Sequence, residues 1–292
     1  MNTKEFKNGV ISAALGSLWW GVLGTYFFQF ITFAGTLEVV VHRCIWTSFI
    51  LLLTTIIFNK WNLVKESLIN KKNFFVLLAT SFLIFGNWTA WIYAVATNKI
   101  IDASYGYFIF PILTVFFDYL FLKEKLNKKR VFSIIIVIGS SIYLAFNLSS
   151  FPWIGILVAI LWATYNLLRK SIKVDTDIGL FIESLFILPI AIVVFYFIFQ
   201  KGLNDFSLVN PTIMFFLFLA GPMTVIPLFL FIKGVEKCGL SASGMIFFIT
   251  PTSQFLLGYF YYNEPFSYEK FISFIFIWIA VFIYLKDIYE KN

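Results

Sequence analysis

Charge is scarce in this chain: only 13% of its 292 residues are Asp, Glu, Lys or Arg, about half the usual share. A soluble fold of this length needs more polar surface to cover its core, and a disordered chain needs more charge still, so both classes are excluded. Cysteine is almost absent. Cys44 lies in an apolar segment and Cys238 in a short loop, which rules out a disulfide-built secreted domain. Histidine occurs once, as His42, with no second histidine or suitably spaced cysteine to complete a metal site. There is no Walker-type phosphate loop, so nothing supports an ATP-driven pump. Neither H-E-x-x-H nor G-x-S-x-G occurs, and Asp118 is the only deep aspartate where an intramembrane protease needs two acids. The sequence therefore implies no catalytic residues, no cofactor and no metal.

What is present is apolar: 60% hydrophobic residues and 21% aromatics, including 39 Phe. This is the composition of an all-α integral membrane protein. A helix needs about 20 apolar residues to cross the hydrocarbon. Ten such stretches fall at roughly 8–31, 35–58, 73–97, 101–122, 130–147, 151–169, 178–200, 211–233, 240–262 and 267–286. The first follows a lysine-bearing start but is longer than a signal-peptide core and lacks a clear cleavage site, so it is read as a retained helix. Only short connections remain between the spans.

The basic residues sit in short clusters between spans, so the formal charge of +7 reflects membrane topology and not a nucleic-acid partner. With the N-terminus inside, 18 of the 22 Lys and Arg fall on inner segments and three, Lys99, Lys201 and Lys270, on outer ones. Arg43 lies within a span. The split predicts that both termini are cytoplasmic.

An offset of 140 aligns Val95 with Val235, Phe108 with Phe248, Ile109 with Ile249, Pro111 with Pro251, Tyr119 with Tyr259 and Glu124 with Glu264. The Pro and Glu pairs are the most telling, because matches among Val, Ile and Phe are cheap in an apolar chain. Glu124 falls inside and Glu264 outside, so the two five-helix halves, 1–147 and 148–292, are predicted to be inverted repeats. Secondary transporters use this architecture, with a solute site between the halves near the midplane.

Several segments carry a family likeness: His42-Arg43 with Trp46, Asn87-Trp88, Ala103 to Ile109 with Pro111, and Leu122-Lys123-Glu124. In the second half they are Arg169-Lys170, Glu183 with Pro189, Gly221-Pro222, Pro227, and Pro251 through Gln254-Phe255-Leu256 to Asn263-Glu264-Pro265-Phe266. In this order, over nearly the whole chain, the sequence resembles the EamA-type members of the drug/metabolite transporter superfamily, and among them the RarD-like proteins. The resemblance implies ten helices in two inverted five-helix repeats, a central cavity, and transport of a small organic solute, with export favoured. Lys123 and Asn263 stand where the family commonly has glycine, which puts the local loop geometry in question.

Ionisable groups within spans are costly and need a reason. Glu38 and His42 share a helix face, with Arg43 about 100° further round. Glu183 lies 140 residues beyond Arg43, so the two are expected to face each other across the cavity. Either Arg43 binds a carboxylate or phosphate and Glu183 an amine or a coupling proton, or the two form a structural salt bridge. His42 suits a proton-coupling group or a neutral ring bonded to Glu38. Asn87 with Trp91, and Asn166 with Trp162, share helix faces and are expected to contact solute, as is Tyr107. One of Trp19 and Trp20 is expected to line the cavity. Pro111 and Pro251 should interrupt their spans at matching points and act as gates or packing kinks. Gly106 and Gly244 should permit close helix approach, and Asp118 is expected to pair with a lysine of the 123–130 loop, with a proton relay as the alternative. The expected function is alternating-access transport of an amino acid, metabolite or drug, proton-coupled or as an uncoupled exchanger; a receptor is the remaining alternative. A functional monomer in the lipid of a bacterial inner membrane is expected.

Overall fold

In hydrocarbon every backbone N–H and C=O must be bonded within the segment, which leaves long apolar runs the helix as their stable form. The computed structural model describes residues 3–97, 99–146, 151–263 and 266–290, and helices are the regular elements throughout them. The boundary between 147 and 148 lies outside the described residues, as do Glu264 and Pro265.

The first run is α1 (Thr3–Trp19), one π turn (Trp20–Gly24) and α2 (Thr25–Phe30). Next come α3 (Thr36–Ile57), the short α4 (Trp61–Ile69), α5 (Lys71–Ala96), α6 (Ile100–Phe121) and α7 (Lys128–Ala145). Then follow α8 (Trp153–Lys170), α9 (Thr176–Gln200), α10 (Pro211–Leu219) and α11 (Pro222–Cys238). The chain ends with α12 (Leu240–Ile246), α13 (Ile249–Phe260) and α14 (Tyr268–Glu290). The ends are coded locally. Asn127 caps α7 by accepting from the Arg130 N–H at 2.9 Å, and Pro211 and Pro222 open α10 and α11, where no helical N–H is needed.

Among the described residues eight stretches are long and apolar enough to cross a membrane. The other two expected spans correspond to α7 and α8, 18 residues each. Lys128, Lys129 and Arg130 at one end of α7, and Arg169 and Lys170 at the end of α8, lower their average hydropathy. Large apolar side chains such as Phe121, Phe197 and Phe282 are exposed on the outer surface, as lipid contact requires. The connection between the second and third spans is itself helical: α4 exposes Trp61, Leu63 and Ile69, and Lys60 just before it pairs with Asp177 of α9 at 2.5 Å.

The main packing pairs are α1 with α11, α5 with α8, α6 with α8, α3 with α9, α7 with α14, and α6 with α12. Glycine makes two of these approaches possible. A Cβ at Gly106 would run into the Gly155 carbonyl of α8, and one at Gly244 into the Thr114 side chain of α6.

Two expectations are corrected here. Pro111 does not interrupt its span: α6 runs unbroken through it, whereas Pro251 stands just after a break at Phe247-Phe248 between α12 and α13. Asp118 takes no loop lysine. It accepts from the Ser241 N–H (2.9 Å) and Oγ–H (2.6 Å) at the start of α12. Ser241 also bonds Glu124 at 2.8 Å, and Arg130 bridges Glu124 (2.5 Å) to Asp287 of α14 (2.8 Å). This buried cluster joins α6, α7, α12 and α14. Glu124 lies in the connection before α7, and burial together with the neighbouring Asp118 carboxylate pushes its carboxyl up to about 7, outweighing Arg130.

Candidate functional site

A cavity of about 690 Å³ opens between the helices, within the range of small-molecule sites. The π turn brings Trp20 into its wall, and α2 contributes Thr25 and Phe28. Arg43 comes from α3, Asn87, Trp88 and Trp91 from α5, and Tyr107 from α6. Trp162 of α8, Pro251 and Gln254 of α13, and Phe274 of α14 complete the far side. Tyr262, Ser267, Glu269 and Lys270 flank one mouth. At one end of the cavity the lining residues Trp20, Trp162 and Phe247 interlock with Phe110 and Phe231 behind them, with ring centroids 4.8–6.2 Å apart.

Arg43 is held without a carboxylate. Its guanidinium lies 4.5 Å from the Phe28 ring centroid and 4.7 Å from that of Trp88, and its Nε donates to Thr224 Oγ1 at 3.0 Å. Among the described residues no acid pairs with it. Cation–π contacts contribute roughly 0.5–2 kcal/mol each, while a guanidinium at membrane depth costs at least ~2.5–3.5 kcal/mol.

Arg43 and Glu183 do not meet. Glu183 is buried beside Arg169, 3.6 Å from its Nε, and accepts from Thr80 Oγ1 (2.6 Å) and the Tyr165 hydroxyl (3.0 Å). Arg169, counted in sequence among the inner-loop cations, is 2% exposed; it also lies 3.9 Å from Glu236. The missed signal was periodic: Trp162, Tyr165, Asn166 and Arg169 recur at helical spacing on one face of α8. Glu183 and Asn166 are absent from the cavity wall. Asn166 is fully buried and donates to the Trp162 carbonyl at 2.7 Å.

His42 also sits off the wall. Trp46 Nε1–H donates to its Nδ1 at 3.1 Å, so Nδ1 is the acceptor and the neutral ring carries its proton on Nε2. That nitrogen is 3.6 Å from Glu38, whose carboxylate accepts from the Asp205 and Phe206 N–H groups at 2.8 and 3.0 Å. The expected His42–Glu38 face therefore anchors the 205–206 loop.

The remaining candidates are brought together. Asn87 donates to the Val158 carbonyl at 2.9 Å while lining the cavity, and Trp91 stacks on Tyr107 at 5.3 Å. Trp162 stacks on Tyr165 at 5.2 Å. Sequence reasoning missed Phe28 and Thr224, which nothing in their local spacing marks. Trp88 and Gln254 stood in the segments that carry the family likeness but had no assigned role.

The description "EamA-like transporter family" matches this chain twice, over residues 7–146 and 151–286. The chain belongs to the EamA-like transporter family. An uncharacterised transporter of Vibrio cholerae is 35% identical over 97% of this chain and 94% of its own length. The protein RarD of Escherichia coli (strain K12) is 30% identical over 98% of this chain and 97% of its own. A solved crystal structure aligns with a TM-score of 0.72 at 12% identity, covering 94% of this EamA-like chain and 96% of the other. At that identity the likeness concerns the fold alone. The chain is thus a multi-span membrane protein of a transporter family.

Proposed function

We propose that the protein is a secondary transporter that carries a small organic solute through the central cavity by alternating access. The observation that carries this reading is the cavity itself, walled by helices from both halves of the chain. The architecture proposed is ten spans in two inverted five-helix repeats, 1–147 and 148–292, since an odd number of spans reverses the second repeat in the membrane.

Two regularities support the repeat. The starts of α3 and α9, α5 and α10, α6 and α12, and α7 and α14 are each 140 residues apart. Lys123 and Asn263, also 140 apart, share a left-handed backbone with φ of 57° and 55°. Three of the main packing pairs, α3–α9, α6–α12 and α7–α14, join helices that correspond under this offset.

With both termini cytoplasmic in a bacterial inner membrane, as the lysine distribution favours, the mouth beside Glu269 and Lys270 faces outward. The opposite end is closed by the aromatic layer and, beyond it, by the Asp118–Ser241–Glu124–Arg130–Asp287 cluster. Inward opening then separates α6 and α7 from α12 and α14. Asn87, Trp91, Tyr107 and Trp162 contact the solute, Pro251 lies at the moving break, and the monomer holds a complete site. At the solute site one observation favours uncoupled exchange over proton coupling: His42 and Glu183 are engaged away from the cavity wall, so a proton gradient would have to act through the Asp118–Glu124 carboxylates of the inner cluster.

The test is exchange of labelled aromatic and other small solutes into proteoliposomes preloaded with unlabelled compound, with and without a proton gradient. Saturable exchange independent of the gradient is expected. Acceleration by the gradient overturns the uncoupled reading, and absence of exchange across a broad panel with folded protein overturns transport.

A further inference from the structure

We infer that the cavity takes organic monoanions with an aromatic body, and that it selects them over zwitterions such as free amino acids. This rests on the transporter reading and specifies its substrate class.

The first step is charge. Arg43 is a guanidinium, ionised at any working pH, and it contributes the fixed charge of the cavity interior. Its neighbours are two ring faces and a hydroxyl, and among the described residues no carboxylate pairs with it. A buried cation without its counter-ion is strongly disfavoured unless a ligand supplies one. A carboxylate matches the guanidinium fork with two parallel hydrogen bonds.

The second step is what the cavity lacks. A zwitterion needs an anion for its ammonium. Glu183, the acid that the repeat places opposite Arg43, is held by Arg169, Tyr165 and Thr80 and does not reach the wall. The wall's one described carboxylate, Glu269, accepts from Ser267 Oγ at 3.0 Å and lies beside Lys270 at the exposed mouth. An ammonium bound beside Arg43 would be desolvated and unpaired. The third step is shape and surface. Phe28 and Trp88 flank the guanidinium, and Trp20, Trp91, Tyr107 and Trp162 line the same cavity, a surface that suits an aromatic ring bearing a short acidic arm.

The experiment is equilibrium binding to the purified protein, read by quenching of its tryptophan fluorescence, using four probes built on one phenyl ring with a short arm. Phenylacetate is the anion, phenylethanol the neutral analogue, phenethylamine the cation and phenylalanine the zwitterion. Phenylacetate is expected to bind about ten- to a hundredfold more tightly than each of the others, the range of a charge-assisted hydrogen-bonded pair. Arg43→Gln should reduce that preference below about threefold while leaving phenylethanol affinity within about threefold. Should that variant fail to fold, the wild-type ranking decides alone. Equal binding of anion and alcohol, a preference for phenylalanine, or no binding by any probe overturns the inference. Saturable exchange of a solute outside this class would at the same time leave the transporter reading standing, so the two failures are distinguishable.

Discussion

Replacing Glu183 by Gln tests the account of the buried pair. The amide keeps the shape and one acceptor, so the Thr80 hydrogen bond survives and the Tyr165 hydroxyl can reverse to accept. What is lost is the negative charge 3.6 Å from Arg169, which leaves Glu236 at 3.9 Å as the remaining acid. Removing one partner of a buried pair costs about 3–5 kcal/mol, and the residual Glu236 places the expected loss near the lower end, about 3 kcal/mol. Arg169→Met alone should cost a similar amount, about 3 kcal/mol. The double substitution should recover most of it, because an apolar pair of similar volume tolerates burial. The assay is reversible unfolding in mixed detergent micelles, followed by circular dichroism. Because Glu183 stands off the cavity wall, solute affinity of the folded variant should stay within about threefold of wild type. A Glu183→Gln protein as stable as wild type, or additive losses in the double variant, would refute the reasoning.

Other consequences follow from named contacts. Lys123 holds a left-handed φ of 57°, so Lys123→Gly should be neutral to stabilising, by up to ~1 kcal/mol, and Lys123→Val destabilising in the same unfolding assay. Gly106→Ala should destabilise by about 1–3 kcal/mol, since the added Cβ meets the Gly155 carbonyl; wild-type stability would contradict the α6–α8 approach. Glu124 is raised from 4.5 to about 7, so the folded state holds its proton more tightly than the unfolded chain. Its contribution is fully present below about pH 4.5 and is lost as pH rises through about 7. Stability should therefore fall across that window in wild type, and Glu124→Gln should flatten the slope.

Much of the fold was legible because its causes are local and additive. Apolar run length marked the spans, and the 140-residue offset carried by Pro111, Pro251 and Glu124 anticipated helix starts that recur at the same spacing. Lys123 and Asn263, where the resemblance implied glycine, both adopt the left-handed backbone that glycine enters at least cost. The site was only partly readable. Arg43, Asn87, Trp91, Tyr107 and Trp162 line the cavity, as their depth and residue type suggested. The Arg43–Glu183 pairing failed because a nearer cation, Arg169, turns inward from the end of α8; a lysine and arginine count treats such a residue as solvated. Pro111 failed as an interruption because a proline in mid-helix removes one bond without obliging the helix to end. Thr224 comes from α11, 181 residues away in sequence, and Phe28 from the preceding helix across a turn; no helical spacing places either against Arg43.

The most direct test of the central claim is counterflow through a blocked cavity. Ser104 lines the cavity from α6, and Ser104→Trp fills part of its roughly 690 Å³. The account predicts saturable counterflow of phenylacetate into proteoliposomes with wild type, and loss of that counterflow with Ser104→Trp shown by circular dichroism to be folded. Counterflow undiminished in the blocked protein would mean that the solute does not pass through this cavity.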